Sequence, residues 1–233
     1  MKRILSATRA LAPLLGALFI SASASAAEKP LISYKAPPSG DDDRPLITEI
    51  IFTPQGSDYA FKIEFNKEPS GERCRTRCAN ATIFVDTDNN RSTGLKLSDP
   101  KAAESGADLA IVIQTVREVK EGGPQSTLKV KVLQFSEDST SVDQSSTLTE
   151  LDPAADPERL LAEGTSVYLL IDTNVGNVPT GQKARLIYHP PDSKALVGIG
   201  KGLTAAGVGH IELFKGGKLQ NPPKKKKSDY EKL

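Results

Sequence analysis

The chain has no tryptophan, one methionine (at position 1), two histidines and two cysteines in 233 residues, and aromatic residues make up only 5% of it. Each shortage removes a class of chemistry. Few flat rings are available for stacking on sugars, and a Met/His axial pair for haem cannot form once Met1 is lost. Imidazole chemistry is confined to His189, beside two prolines, and His210, in a glycine-rich stretch; both read as surface residues. No Gly-x-Ser-x-Gly elbow and no His-Glu-x-x-His helix occurs, which removes two common hydrolase signatures. Gly200-Lys201 lacks the following Ser/Thr and the glycine spacing of a phosphate loop. The formal net charge is +1, so no overall field recruits nucleic acid or an anionic membrane. Past the N-terminus no segment reaches the roughly 18 uninterrupted apolar residues of a spanning helix.

What is present begins with an export signal over residues 1–26. Lys2 and Arg3 give the positive start, Leu11 to Ile20 the apolar stretch, and Ala24-Ser25-Ala26 the small-x-small cleavage site. The expected location is periplasmic or secreted, with no membrane span after cleavage. About 205 residues then remain, enough for one domain with a sizeable core. In an oxidising compartment Cys74 and Cys78 are expected to form a disulfide, worth roughly 2 kcal/mol at most for so small a ring. The alternative is a reactive dithiol beside Arg73, Arg75 and Arg77.

Residues 27–45, with Pro30, Pro37, Pro38 and Asp41-Asp42-Asp43, read as a disordered linker. From Leu46 to position 190 the pattern is that of strands. Tyr59, Phe61, Ile63 and Phe65 alternate with polar residues after the turn-forming Thr53-Pro54-Gln55-Gly56, which predicts a hairpin. Ala81–Val85, Ala107–Val116, Leu128–Phe135, Val167–Ile171 and Ala184–Tyr188 read as further strands, and Ser136–Thr149 as a ragged loop or an edge strand. Pro153–Glu163 predicts one short helix, capped by Asp156 and with Leu160 and Leu161 facing inward. The expected fold is all-β, an antiparallel sandwich of jelly-roll or immunoglobulin-like type with at most that one helix. Residues 191–214 form a glycine-rich extension in which Gly198, Gly200, Gly202, Gly207 and Gly209 are expected to break any regular element, although Ile211–Phe214 could add a last strand. Residues 215–233, with Lys224 to Lys227, read as a disordered basic tail.

The most informative segment is Ile83-Phe84-Val85 running into Asp86-Thr87-Asp88-Asn89-Asn90, then Thr93-Gly94, with Gly106-Ala107-Asp108 opening the next strand. Asp86, Asp88 and Asn90 at i, i+2 and i+4 send successive oxygens to one side of a loop, as calcium sites require. The helix-loop-helix motif itself is absent. Arg91 replaces its glycine and Leu97 its closing glutamate, so Asp108 is the expected closing ligand, with Thr93 as a further oxygen donor. Mg²⁺ fits less well because it keeps more water. Plain turn chemistry also uses Asp and Asn in this way. Leu170-Ile171-Asp172-Thr173-Asn174 with Thr180-Gly181 is a weaker echo of the same order, carrying one carboxylate.

These residues resemble the secreted β-sandwich modules related to family-nine carbohydrate-binding modules and the DOMON-like group, over roughly Leu46 to Val116. The resemblance implies a sandwich with Asp86, Asp88 and Asp108 near a structural cation. The chain departs from the sugar-binding members in lacking Trp, with Tyr59, Tyr168 and Tyr188 as the remaining stacking platforms, and from the haem-binding members in lacking the Met ligand. The expected function is therefore an exported non-catalytic binding module with a structural calcium ion and a glycan or cell-surface protein as partner. The alternatives are a secreted hydrolase of extracellular or cell-wall polymer, with Asp86 and Asp108 as acid and base, and a structural envelope protein.

Overall fold

Alternating apolar side chains divide this chain between two sheets. The computed structural model describes residues 29–36, 44–70, 78–120, 123–205, 214–215 and 218–219. The signal segment, Cys74 and hence its pairing with Cys78, His210 and the lysine tail lie outside them. One sheet has five strands in the order β1 (Ile32–Ser33), β2 (Ile47–Gln55), β3 (Asp58–Phe65), β9 (Ser166–Asp172) and β8 (Leu160–Glu163). The other has six, in the order β11 (Leu196–Lys201), β10 (Lys183–Tyr188), β4 (Asn80–Asp86), β5 (Leu109–Lys120), β6 (Gly123–Gln134) and β7 (Ser146–Leu151). A separate pair, β12 (Phe214–Lys215) and β13 (Lys218–Leu219), completes the described strands. All pairings are antiparallel. The fold is the expected all-β sandwich.

The core lies between the sheets. Tyr59, Phe61, Ile63 and Phe65 from β3 meet Ile83 and Val85 from β4, Leu109, Ile111 and Ile113 from β5 and Val167, Leu169 and Ile171 from β9, all buried. The β2–β3 hairpin turns at Gly56 and Ser57, with Gln55 opposite Asp58 and Gly56 at φ 60°, the left-handed conformation such two-residue loops demand.

Three local expectations are corrected. Among the described residues there is no α-helix, only two three-residue 3-10 turns at Val142–Gln144 and Leu203–Ala205. In place of the helix at Pro153–Glu163, Asp152 and Asp156 build a turn: the Asp152 N–H donates to Asp156 Oδ2 (3.0 Å) and the Ala154 N–H to Asp152 Oδ1 (2.8 Å). Leu160 then pairs with Leu169 across the sheet. Side-chain bonds to the local backbone and a strand partner outweigh a weak helical propensity. Ile32–Ser33, inside the stretch read as linker, pair with Glu49 and Ile50 of β2. Gly198 and Gly200 do not interrupt β11: a Cβ on Gly198 would stand 2.5 Å from the Leu31 carbonyl oxygen, and one on Gly200 2.8 Å from a Leu31 methyl. These glycines admit the N-terminal strand at close range.

The connection from β4 to β5, residues 87–108, folds back over the outer face of the six-stranded sheet. Leu95, Ala107, Leu97 and Ala103 bury Phe84, Ala110 and Ile187 there as a second, smaller core. A loop of this length with its own packed interior is uncommon unless it carries function.

Candidate metal centre

Asp86 ends β4 and Asp108 immediately precedes β5, so the ladder between those strands brings the two ends of the long loop together. The Asp108 N–H donates to the Val85 carbonyl at 2.9 Å. Asp88, two residues beyond the strand, turns back toward them. One oxygen each from Asp86, Asp88 and Asp108 lies within 4.8 Å of the others. The three carboxylates could hold a metal ion. Among the described residues no other group of three His, Cys, Asp or Glu side chains is so placed.

Two glycines permit this approach. A Cβ on Gly94 (φ 60°) would meet the Ala107 carbonyl oxygen at 2.2 Å and Asp108 Oδ1 at 2.9 Å; one on Gly106 (φ 90°) would meet Arg91 Cα at 2.5 Å. Between them the Leu95 N–H donates to the Ala107 carbonyl (2.7 Å) and the Gly106 N–H to that of Leu95 (2.8 Å). The Thr-Gly and Gly-Ala-Asp elements of the sequence are thus two sides of one contact.

Each carboxylate has a distinct environment. Asp86 is fully buried; its Oδ2 accepts from Arg185 Nε (3.0 Å) and Nη2 (2.7 Å), and its Oδ1 from the Asn90 N–H (3.0 Å). Burial raises its pKa and Arg185 opposes the rise. Asp88 is half-buried and accepts from the Asn90 N–H (2.9 Å) and the Thr93 hydroxyl (3.1 Å). Asp108 is fully buried; its Oδ2 accepts from the Thr87 N–H (2.8 Å) and hydroxyl (2.7 Å), while its Oδ1 has no hydrogen-bond partner. Burial pushes the Asp108 carboxyl up to about 7, against the pull of the Thr87 bonds and with further help from Asp88 and Asp86. The single Thr87 hydroxyl proton is shared between Asp108 Oδ2 and the Pro179 carbonyl at 2.5 Å.

Asn90 takes part through its backbone N–H, while its side-chain oxygen accepts from the Ser92 N–H at 3.0 Å. The later echo has another use. Asp172 Oδ1 accepts from the Asn174 N–H at 2.9 Å, a local turn, and Asp172 stands opposite Asp58 across the sheet. Gly181 instead backs the first loop: a Cβ on it would lie 2.6 Å from Asp88 Cα.

The centre also joins the layers. Tyr59, on β3 of the opposite sheet, donates its hydroxyl to the Thr87 carbonyl at 3.3 Å. Removing that hydroxyl in Tyr59→Phe is expected to reduce stability by about 1 kcal/mol, read by urea unfolding. An unchanged midpoint would show that the bond contributes nothing.

Two residues join the site without a local sequence signal that marks them as members. Thr87 lay between the acidic residues but bridges Asp108 and Pro179. Arg185 interrupts an apolar strand, Ala184-Arg185-Leu186-Ile187, and a lone charge in such a strand requires a buried partner. The expected sugar platforms are unavailable: Tyr59, Tyr168 and Tyr188 are 0%, 4% and 2% exposed. Asp86 and Asp108 are likewise sealed from polymer, which an acid–base pair must reach. His189 is 42% exposed in its side chain and pairs with Glu104.

Comparison with family models, curated proteins and solved structures finds no significant match to this chain.

Proposed function

We propose that the protein is an exported, non-catalytic binding module whose sandwich is stiffened by a calcium ion bound to Asp86, Asp88 and Asp108. The observation that carries this reading is the buried Asp108 Oδ1, a carboxylate oxygen without a partner, beside two further carboxylates. A buried polar atom of this kind is costly unless a ligand satisfies it. The donors are all oxygen, which favours a hard cation, and several protein ligands at one point favour Ca²⁺ over Mg²⁺. When bound, the ion would supply positive charge that lets all three carboxylates ionise. The half-buried Asp88 is the side from which it would enter.

The partner we propose is a glycan or cell-surface protein gripped by polar loops rather than by stacked rings. The exposed Asn89, Asn90, Arg91 and Ser92 rim the site, and Asn174, Val175 and Asn177 lie exposed on the β9–β10 loop.

Thermal melting in chelator and in millimolar calcium tests the ion. Saturation at about 100 times the dissociation constant adds about 2.7 kcal/mol, or about 5–10 °C for a domain of this size. An unchanged melting temperature would remove calcium from the account. A glycan array run with and without chelator then reads the ligand class.

A further inference from the structure

We propose that Arg185 sets the charge selectivity of this carboxylate centre, tuning it to divalent rather than trivalent cations. The inference builds on the cation-site reading above and goes further by assigning a residue that is not itself an oxygen ligand.

Arg185 stands directly opposite Asp86 in the β10–β4 ladder and is 4% exposed. Its fork holds Asp86 Oδ2 through Nε and Nη2, and Nη2 also donates to the Ser105 carbonyl at 2.6 Å. Nη1 is buried and has no partner. The guanidinium is therefore fixed in place as a positive charge beside Asp86. Because it claims Oδ2, only Oδ1 of Asp86 is left to face the carboxylate group.

The consequence is a charge count. With an ion bound, the three carboxylates carry −3 and Arg185 returns +1, so a divalent ion leaves the buried cluster neutral. A trivalent ion leaves it at +1, and residual charge is penalised beside two fully buried carboxylates. Removing the guanidinium inverts this preference: −3 is matched by a trivalent ion. At an effective dielectric constant of about 20 and a separation of about 6 Å, one extra unit of charge product changes affinity by roughly a hundredfold. If Arg185 served only to pair Asp86 and hold the strands in register, its loss would change stability and weaken all ions alike. The ratio between ions separates the two roles.

The experiment measures Tb³⁺ affinity by luminescence and Ca²⁺ affinity by competition on the full chain at pH 8. Arg185→Met is expected to raise the Tb³⁺/Ca²⁺ affinity ratio at least about tenfold over wild type. Arg185→Lys, which keeps the charge but not the fork, is expected to leave the ratio near wild type. Asp86→Asn is expected to lower it, and Asp86→Asn combined with Arg185→Met to restore it. Should Arg185→Met fail to fold, the double variant against Asp86→Asn reads the same charge step with no unpaired carboxylate at position 86. An unchanged ratio in that comparison, or in Arg185→Met, with both ions still bound, overturns the selectivity role. Binding of neither ion by wild type instead overturns the cation site, and this inference with it.

Discussion

Asp108→Asn is expected to raise the melting temperature of the ion-free protein at pH 8 and to abolish its response to calcium. The folded protein holds the Asp108 carboxyl at about 7, above its ordinary value of 3.8, chiefly because it is buried. Between those values the folded state keeps a proton that the unfolded state has released, so stability falls as pH rises through this window. The group's contribution is complete below about pH 4 and lost above about pH 7. Burial raises Asp86 as well, so it acts in the same direction. At pH 8 without an ion, the buried anion costs on the order of 2–4 kcal/mol. An asparagine escapes this penalty, keeps an acceptor for Thr87, and offers N–H donors to the neighbouring carboxylates. Calorimetric melts in chelator at pH 5 and pH 8 check the sign: wild type should lose ground to Asp108→Asn on going to pH 8. A variant that melts below wild type at pH 8 would show that the Asp108 carboxylate stabilises the ion-free fold.

Gly94→Ala should be the most damaging single-methyl change in the loop. The added carbon would sit 2.2 Å from the Ala107 carbonyl oxygen and 2.9 Å from Asp108 Oδ1, on a residue already at φ 60°. Both neighbours belong to the segment that delivers the closing carboxylate, so the strand end must move. A loss of about 3 kcal/mol or more, and at least a tenfold drop in calcium affinity, is expected from crowding plus left-handed strain. Gly56→Ala is the matched control, with the same φ and nothing within 4 Å of the added carbon. It should lose only about 1 kcal/mol and leave calcium binding intact. Urea unfolding with calorimetric titration measures both; equal losses for the two variants would mean the Gly94 contact yields freely.

Much of this architecture was legible in the sequence because one-sided burial writes period-two alternation directly into a strand. The run from Tyr59 to Phe65 is the clearest case, with every second side chain at 0–3% exposure. Asp86, Asp88 and Asp108 were legible because they bracket the loop at two strand ends. Asn90 reads in the sequence as a third oxygen ligand; that its backbone N–H, and not its side-chain oxygen, meets the aspartates depends on the turn geometry. Other features depended on partners distant in the chain. Gly198 and Gly200 look like breakers until Leu31 is brought against them, and Leu160 looks helical until Leu169 pairs with it. Arg185 lies 99 residues from Asp86, a distance over which local pattern carries no information about pairing. The second Thr-Gly pair reads as an echo of the first loop, yet Gly181 closes against Asp88.

The trench left by Gly198 and Gly200 gives residues 31–33 an unusual duty. Leu31 fills space that no side chain of β11 occupies, while its neighbour Ile32 is tied to the other sheet. This short stretch is a seam along one margin of the sandwich, fastening both layers with very little polypeptide. A protease that clipped just after Ser33 would unfasten that margin, leaving a bare backbone channel beside the exposed Val197 and Ile199.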